Sequence, residues 1–303
     1  MTRIKKLLAD FMVLAIMFSL SACGSFEAKM LKSALKIGDL KSWRMDLDVD
    51  VGMSMSMLGD AMDIDTAVTG TIDVNASPVK AKADLTVDVM GETLNVLCYV
   101  EQAEKKLISY VSVDGGANWI KTEFDTETAT QTQKMDAKAI AGLVKLITSF
   151  DQTGTEMVHG SEARVYSGFV TASDLETITD LSGAMNAMGD AMNTEIAADD
   201  LDLSSLSPIP LTICVDQQTG MIVKCSVDLT GLMQSLLPIV IQAAMQAAMA
   251  ESGLGVLGGM DLSMLGFQLD ISRLIVTAEF YDFDTVDDIV IPADALSAPN
   301  VAA

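Results

Sequence analysis

The sequence predicts an α+β fold in which a long, curved antiparallel β-sheet has helices covering its concave apolar face. Two observations lead to this prediction. Apolar and polar residues alternate over unusually long segments in the first half of the chain, and segments with helical spacing of apolar residues follow them. Because a long sheet with one apolar face must curl and bury that face against a second layer, the helices are expected to form that layer.

The first residues have the layout of a secretory signal. Arg3, Lys5 and Lys6 precede an apolar run at residues 7–20, interrupted only by Asp10. The run is shorter than the roughly 20 apolar residues that a membrane-spanning helix needs. We therefore expect residues 1–22 to be a signal peptide.

The signal ends in the residues Leu20-Ser21-Ala22-Cys23-Gly24, which resemble the lipobox of bacterial lipoproteins. The resemblance implies that Cys23 carries a diacylglyceryl group and that acyl chains anchor the protein to a membrane on its extracytoplasmic face. Residues 23–41 would then be a lipid-anchored tether. The alternative is an N-terminal core helix that ends in cysteine.

A single domain is expected at residues 42–296, and it begins with long strands. From Trp43 to Met57 every odd position is apolar, whereas the even positions are polar, charged or glycine. This period of two is typical of a strand with one apolar and one solvated face. Segments 62–74 and 79–89 repeat the alternation, and short turns between the segments predict an antiparallel meander. Shorter strands are predicted at 94–100, 106–113 and 118–123, with a tight turn at Asp114-Gly115-Gly116.

Three helices are expected to cover this sheet. Residues 132–149 have apolar residues at helical spacing, and Ser173 with Glu176 has the pattern of a capping box that opens the second helix. The third helix is expected at 229–250, within a helical insertion of residues 229–266. Hairpins at 156–170 and 209–228 and a strand at 268–283 complete the domain, and residues 297–303 form a tail.

Residues 232–250 carry no charge, which raises the alternatives of a membrane span and a lid helix. Gln234, Gln242, Gln246 and Pro238, together with the lack of flanking basic residues, argue against insertion. The sequence therefore favours a lid helix packed on the apolar face of the sheet.

The charge and cysteine content exclude several classes of site. A formal net charge of −23 disfavours nucleic acid and anionic lipid headgroups, which recruit lysine and arginine. With one histidine and no CxxC motif, no zinc-type cluster can be assembled, so neither metal nor cofactor is expected. Cys214 and Cys225 flank a turn and could form a disulfide, although their spacing suggests a diagonal pair; free buried thiols are the alternative.

No catalytic constellation is evident, so the sequence predicts a protein that is not an enzyme. The motifs GxSxG, HExxH and the P-loop are missing. His159 precedes Gly160 and is interpreted as a hairpin turn residue. Asp46, Asp48 and Asp50 share one strand face and could suggest calcium, but without the spacing of an EF-hand loop a solvated face is the better interpretation.

Methionine is unusually frequent, with 21 copies. Its flexible, unbranched side chain can repack around varied apolar ligands, or it can fill an irregular core. Both interpretations stay open. The candidates for lining a ligand cavity lie on the apolar strand face and on the third helix: Met45, Met53, Met55, Met57, Met62, Leu236, Met245 and Met249.

Taken with the lipobox and the long alternating strands, three features resemble the LolA/LolB-like superfamily of bacterial lipoproteins. They are the turn at residues 114–119, the hairpin at 216–220 and the closing segment from Tyr281 to Pro292. Within the superfamily the chain looks similar to the LprG and LppX type and to lipoproteins of Gram-positive gut anaerobes. The resemblance implies an incomplete β-barrel that wraps around helices and leaves an apolar cavity, which carries acyl chains or lipids in characterised members.

Two functions follow as hypotheses. The first is a lipid-anchored extracytoplasmic lipoprotein that binds or carries a lipid or acyl chain between the sheet and the helices. The second is an interaction or structural module of the envelope that presents its acidic surface to a protein or cell-wall partner. A packed interior would contradict the first hypothesis.

Overall fold

The computed structural model describes residues 40–57, 60–104, 106–125, 149–171, 174, 207–236 and 268–300. Within these ranges, eleven strands form one antiparallel sheet in the order β6-β5-β4-β3-β2-β1-β11-β10-β9-β8-β7. The strands are β1 (Ser42–Met57), β2 (Asp60–Ala76), β3 (Val79–Val89), β4 (Glu92–Ala103), β5 (Lys106–Ser112), β6 (Ile120–Asp125), β7 (Asp151–Val158), β8 (Ser161–Val170), β9 (Ile209–Asp216), β10 (Ile222–Asp228) and β11 (Gln268–Tyr281).

The sheet consists of two meanders joined along one seam. Strands β1 to β6 follow one another from the centre to one edge, and β7 to β11 run from the other edge back to the centre. The last strand pairs with the first along most of its length, from Arg44↔Tyr281 to Ser56↔Gln268. Among the described residues β6 and β7 do not pair with each other, so the sheet is open.

The alternation in the sequence correctly predicted the long strands. The first three are 16, 17 and 11 residues long, and each pairs with the next as its antiparallel neighbour. Outside the described residues lie residues 132–148 of the predicted helix 132–149, the Ser173 and Glu176 pair, and residues 237–266 of the helical insertion. The large open antiparallel sheet is therefore established, whereas a helical layer over its concave face stays a prediction.

One face of the sheet, called here the inner face, is apolar over strands β1 to β5 and β11. Its core includes Met45, Ile72, Leu85 and Cys98, each at most 2% exposed. A second cluster extends this face over β8 to β10 around Ile213. The opposite face, called the outer face, carries the polar residues of the alternation, including Asp46 and Asp48.

The C-terminal segment covers part of the outer face. After β11 the chain crosses the ends of β1 and β2, where the buried Asn75 accepts a hydrogen bond from the Ile289 backbone N–H at 2.9 Å. Ile289 and Ile291 then pack on Tyr99 of β4, Tyr110 of β5 and Trp119, which precedes β6. The short helix Ala293–Leu296 and a bridge between Lys121 and Asn300 end the described chain.

The third predicted helix begins where the sequence placed it. Residues 230–236 are helical, and the Asp228 side chain accepts a hydrogen bond from the Thr230 backbone N–H, as an N-cap does. β10 ends at Asp228, and from there on the helical segment supplies hydrogen-bond partners for the backbone groups of β11 that β10 does not reach. The Leu274 N–H donates to Thr230 Oγ1, and the Gln234 side chain donates to the Ile271 carbonyl at 2.6 Å. Gln234 therefore has a structural partner in the sheet.

A capping pattern also occurs after β8. The Thr171 N–H donates to Asp174 Oδ2 at 2.9 Å, and the Asp174 N–H donates to Thr171 Oγ1 at 3.3 Å. This reciprocal exchange is the logic of a capping box. It involves residues two positions before the predicted pair at 173 and 176.

Candidate functional site: the inner face of the sheet

The inner face is closed at one end and progressively opens toward the β1–β2 hairpin. Along β1, Met45 is 2% exposed, Leu47 is 5% and Val49 is 8%, and the following inner residues Val51, Met53 and Met55 are only half-buried. On β2, Met62 faces Met55 across the hairpin and is 40% exposed. The closed end is thus packed core, and the apolar surface at the other end is accessible.

Three of the candidate methionines come together at this open end. Met55 pairs with Met62 on one side and with Leu269 on the other, and Met53 lies between Ile64 and Ile271. A register shift in β11 opposite Gly52 places Ile271 on the inner face beside Met53. We call Met53, Met55, Met62 and Ile64 the methionine patch.

The other predicted lining residues fall elsewhere. Met45 lies in the closed core, next to Ile72 and Phe280. Leu236, 8% exposed, is buried at the described end of the helical segment 230–236. The side chain of Met57, and Met245 and Met249 altogether, lie outside the described residues.

The three described cysteines are free; Cys98 and Cys214 are buried, and Cys225 is partly buried. The register Cys214↔Lys224 and Ile213↔Cys225 places the two thiols on opposite faces of the β9–β10 hairpin, which rules out the disulfide that their spacing left open. Burial raises the pKa of the Cys98 and Cys225 thiols to about 12. For Cys214 burial, with Glu156 nearby, raises the pKa to about 11. None of these thiols is activated as a nucleophile.

The outer face carries a polar cluster that sequence reasoning did not anticipate. His159 is the first residue of the β7–β8 turn, as predicted, and its φ of 44° is left-handed. Its ring stacks on Tyr281, and its Nε2 lies 3.2 Å from Glu279 Oε2 and 3.6 Å from Asp46 Oδ2. Lys224 joins the cluster, with its Nζ 3.1 Å from Glu279 Oε1.

The other polar side chains of this cluster are also joined by ion pairs and hydrogen bonds. Lys224 Nζ lies 2.7 Å from Glu156 Oε1, and this hydrogen bond raises the pKa of the lysine. The Tyr281 hydroxyl donates to Asp46 Oδ1 at 2.8 Å. Burial, and then that hydrogen bond, raise the pKa of Tyr281 to about 12. The cluster therefore acts as a clamp between the β7–β8 hairpin and the centre of the sheet.

Each aspartate of β1 either forms a hydrogen bond or ion pair with another side chain or is exposed to solvent. Asp46 also accepts a hydrogen bond from Thr71, Asp50 pairs with Arg273 at 2.6 Å, and Asp48 is exposed. Within the described ranges, no group of three or more histidine, cysteine and carboxylate side chains has a geometry that could hold a metal ion. In the same part of the chain, no helix has the length and apolarity needed to cross a membrane.

Several solved structures are similar to this chain. They include the lipoprotein LppX of Mycobacterium tuberculosis, at 13% identity and a TM-score of 0.39, covering 87% of this chain and 97% of that one. LprF from Mycobacterium bovis matches at 11% identity and a TM-score of 0.39, covering 86% and 93%. A LolA superfamily protein from Nitrosomonas europaea matches at 8% identity and a TM-score of 0.13, covering 80% and 87%. LppX and the LolA superfamily, which the sequence resembles, are both named among these matches.

The sequence comparisons identify the family. No curated protein shows significant sequence similarity to the chain. A family model matches residues 27–249, which is well over half of the chain. The protein therefore belongs to DUF6612, a family of unknown function.

Proposed function

We propose that the protein is an extracytoplasmic lipoprotein, anchored through lipid on Cys23, that holds the apolar part of a lipid or acyl chain against the inner face of its sheet. The observation that carries the proposal is the rise in exposure along β1, from Met45 at 2% to the half-buried Met53 and Met55. The exposure is higher still at Met62 on the neighbouring strand β2, which is 40% exposed. The proposal assigns no catalytic step to the chain.

Accessible apolar surface at one end of a core is costly unless something covers it for part of the time. Each Å² of apolar surface removed from water contributes about 25 cal/mol, so a ligand chain laid on the methionine patch would gain directly from its coverage. Methionine adapts its shape to the bound chain more easily than branched residues do. A patch of this composition suits acyl chains of varied length.

Native mass spectrometry of the mature chain, purified without detergent and carrying Cys23→Ser so that no anchor is attached, tests the proposal. We expect the chain to carry a bound species of defined mass. Organic extraction should remove this species, and analysis of the extract should identify it as a lipid. A clean apo mass that stays unchanged after incubation with lipid vesicles would count against an apolar ligand.

The second candidate is an interaction module that uses the outer face. Its support is the row of carboxylates on the central strands, where Asp48 on β1 and Asp84 on β3 are exposed. Crosslinking in intact cells would favour this function if it returned one stoichiometric protein partner and no lipid. Neutralising Asp48 and Asp84 should then abolish the crosslink.

A further inference from the structure

The open end of the inner face is bordered by exposed apolar residues. The β1–β2 hairpin contributes Met62, 40% exposed, and the β3–β4 hairpin contributes Met90 and Leu94, 59% and 40% exposed. Leu94 pairs with Val87, which places it on the same face as the methionine patch. The two hairpins and the start of β11 therefore form the border of the opening, which we call the rim.

The rim is strongly acidic. Among the described residues of this end of the sheet, Arg273 is the one basic side chain, and it is already paired with Asp50 at 2.6 Å and with Asp65 at 3.5 Å. Glu92 pairs with Val89 at the edge of the inner face itself and is exposed. The other carboxylates of the rim, those of Asp50, Asp63, Asp65, Asp88 and Asp270, lie at the same strand ends but point to the outer face, so they border the opening from the opposite side of the sheet.

The negative charge of the rim affects which polar heads an amphiphile can carry when its tail lies on the methionine patch. The tail gains by leaving water, so the head must stay at the rim, near the carboxylates. Charges interact over about 8 Å at physiological salt, and like charges brought within that distance repel. Sites that accept lipid phosphates have the opposite composition, with clustered lysine and arginine.

We infer that the ligand is an amphiphile whose polar head carries no net negative charge, such as a neutral glycolipid or a zwitterionic lipid. This inference rests on the proposed function, since it concerns the head of the ligand that the inner face would hold. It names the class of ligand and excludes anionic phospholipids as the preferred one.

The test offers the mature Cys23→Ser chain a mixture of three lipids that share the same acyl chains and differ only in the head. They are phosphatidylglycerol, phosphatidylcholine and a diglycosyl diacylglycerol, and native mass spectrometry measures how much of each is bound. We expect at least tenfold less bound phosphatidylglycerol than either other lipid at low salt. The difference should narrow at high salt, because screening weakens the repulsion.

A charge-neutralised variant tests whether the rim causes the selectivity. The triple variant Asp63→Asn, Asp88→Asn and Glu92→Gln removes three rim carboxylates while keeping side-chain size. It should raise bound phosphatidylglycerol severalfold and leave the neutral lipids unchanged. The matched control removes three exposed carboxylates at the opposite end of the sheet, Glu104→Gln, Glu162→Gln and Asp288→Asn, and should change nothing.

The possible results distinguish failure of the inference about the head group from failure of the proposed lipid-binding function. Equal binding of phosphatidylglycerol and the neutral lipids by the wild-type chain would overturn the inference and leave lipid binding standing. An increase in phosphatidylglycerol that is the same in the control variant would also overturn it, because net charge alone would then explain the effect. Binding of none of the three lipids would overturn the proposed function and the inference together.

Discussion

The ring of His159 stacks on the ring of Tyr281, with centroids 3.9 Å apart and planes inclined by 18°. His159 lies at the tip of the β7–β8 hairpin and Tyr281 ends β11, although β9 and β10 separate these elements in the sheet. The hairpin therefore bends back over the outer face. Behind the contact it encloses Val158, Ala163 and Cys214, which are at most 2% exposed.

Replacing His159 should loosen this clamp. His159→Asn is the informative change, because asparagine tolerates the left-handed backbone at φ 44° that alanine would strain. We expect it to lower the free energy of unfolding by about 1 kcal/mol, the usual value of one stacked aromatic pair. Urea denaturation measures this loss. Tyr281→Phe keeps the stack and removes only the hydrogen bond to Asp46, so His159→Asn should cost the same in that background; a much smaller cost there would tie the stabilisation to the hydrogen bond and not to the stack.

Asn75 should control the attachment of the C-terminal segment. Its side chain is buried, donates to the Asp287 carbonyl at 3.3 Å and accepts from the Ile289 N–H at 2.9 Å. Asn75→Ala leaves that N–H without its partner and should cost about 1 to 3 kcal/mol. Limited proteolysis should then cut first near residue 288. Asn75→Asp keeps the acceptor, so it should protect the segment better than alanine; equal cleavage of both variants would contradict this account.

Gly70 should tolerate no side chain. A Cβ there would overlap the Asp84 carbonyl oxygen and lie 2.8 Å from the Leu85 Cα, and neither backbone atom can move aside cheaply. We expect Gly70→Ala to destabilise the fold by roughly 3 kcal/mol, at the upper end of overpacking effects. Gly154 on β7 has no atom within 4 Å of such a Cβ, so Gly154→Ala is the matched control and should change the midpoint of urea unfolding little. Similar losses in both variants would exclude the steric explanation.

The sequence predicted what depends on local pattern and missed what depends on pairing between distant segments. The alternation from Trp43 to Met57 fixes both the strand and its apolar face, because successive side chains of a strand point to opposite sides. No local pattern indicates that β11 pairs with β1, or that the tip at His159 reaches Tyr281. Whether Cys214 and Cys225 form a disulfide depended on the strand register, because a shift of one residue moves a side chain to the other face. Turn geometry sets this register, and composition does not reveal it.

The three described cysteines should be unreactive in the folded protein. Burial raises the pKa of Cys98 and Cys225 to about 12, so at pH 8 almost no thiolate is present. A thiol reagent added to the Cys23→Ser chain should react only after unfolding. Because the ordinary thiol pKa of 9.0 is lower than the folded pKa, the unfolded chain loses these protons first. The contribution of these two thiols to stability should therefore be constant below about pH 9 and should be lost as the pH rises toward 12. Rapid labelling of the native chain at pH 8 would show that the thiols are accessible.

Two methionines on the same apolar face should behave in opposite ways. Met45 is 2% exposed in the closed core, so Met45→Ala should cost about 2 to 5 kcal/mol of stability through the cavity it creates. Met62 is 40% exposed at the open end, so Met62→Gln should leave the urea midpoint nearly unchanged and reduce lipid binding severalfold. The polar amide would have to lose water without a partner whenever a chain covers it. If Met62→Gln bound lipid as well as the wild type while folding normally, the ligand would not lie on the methionine patch, and the exposed end of this face would need another explanation.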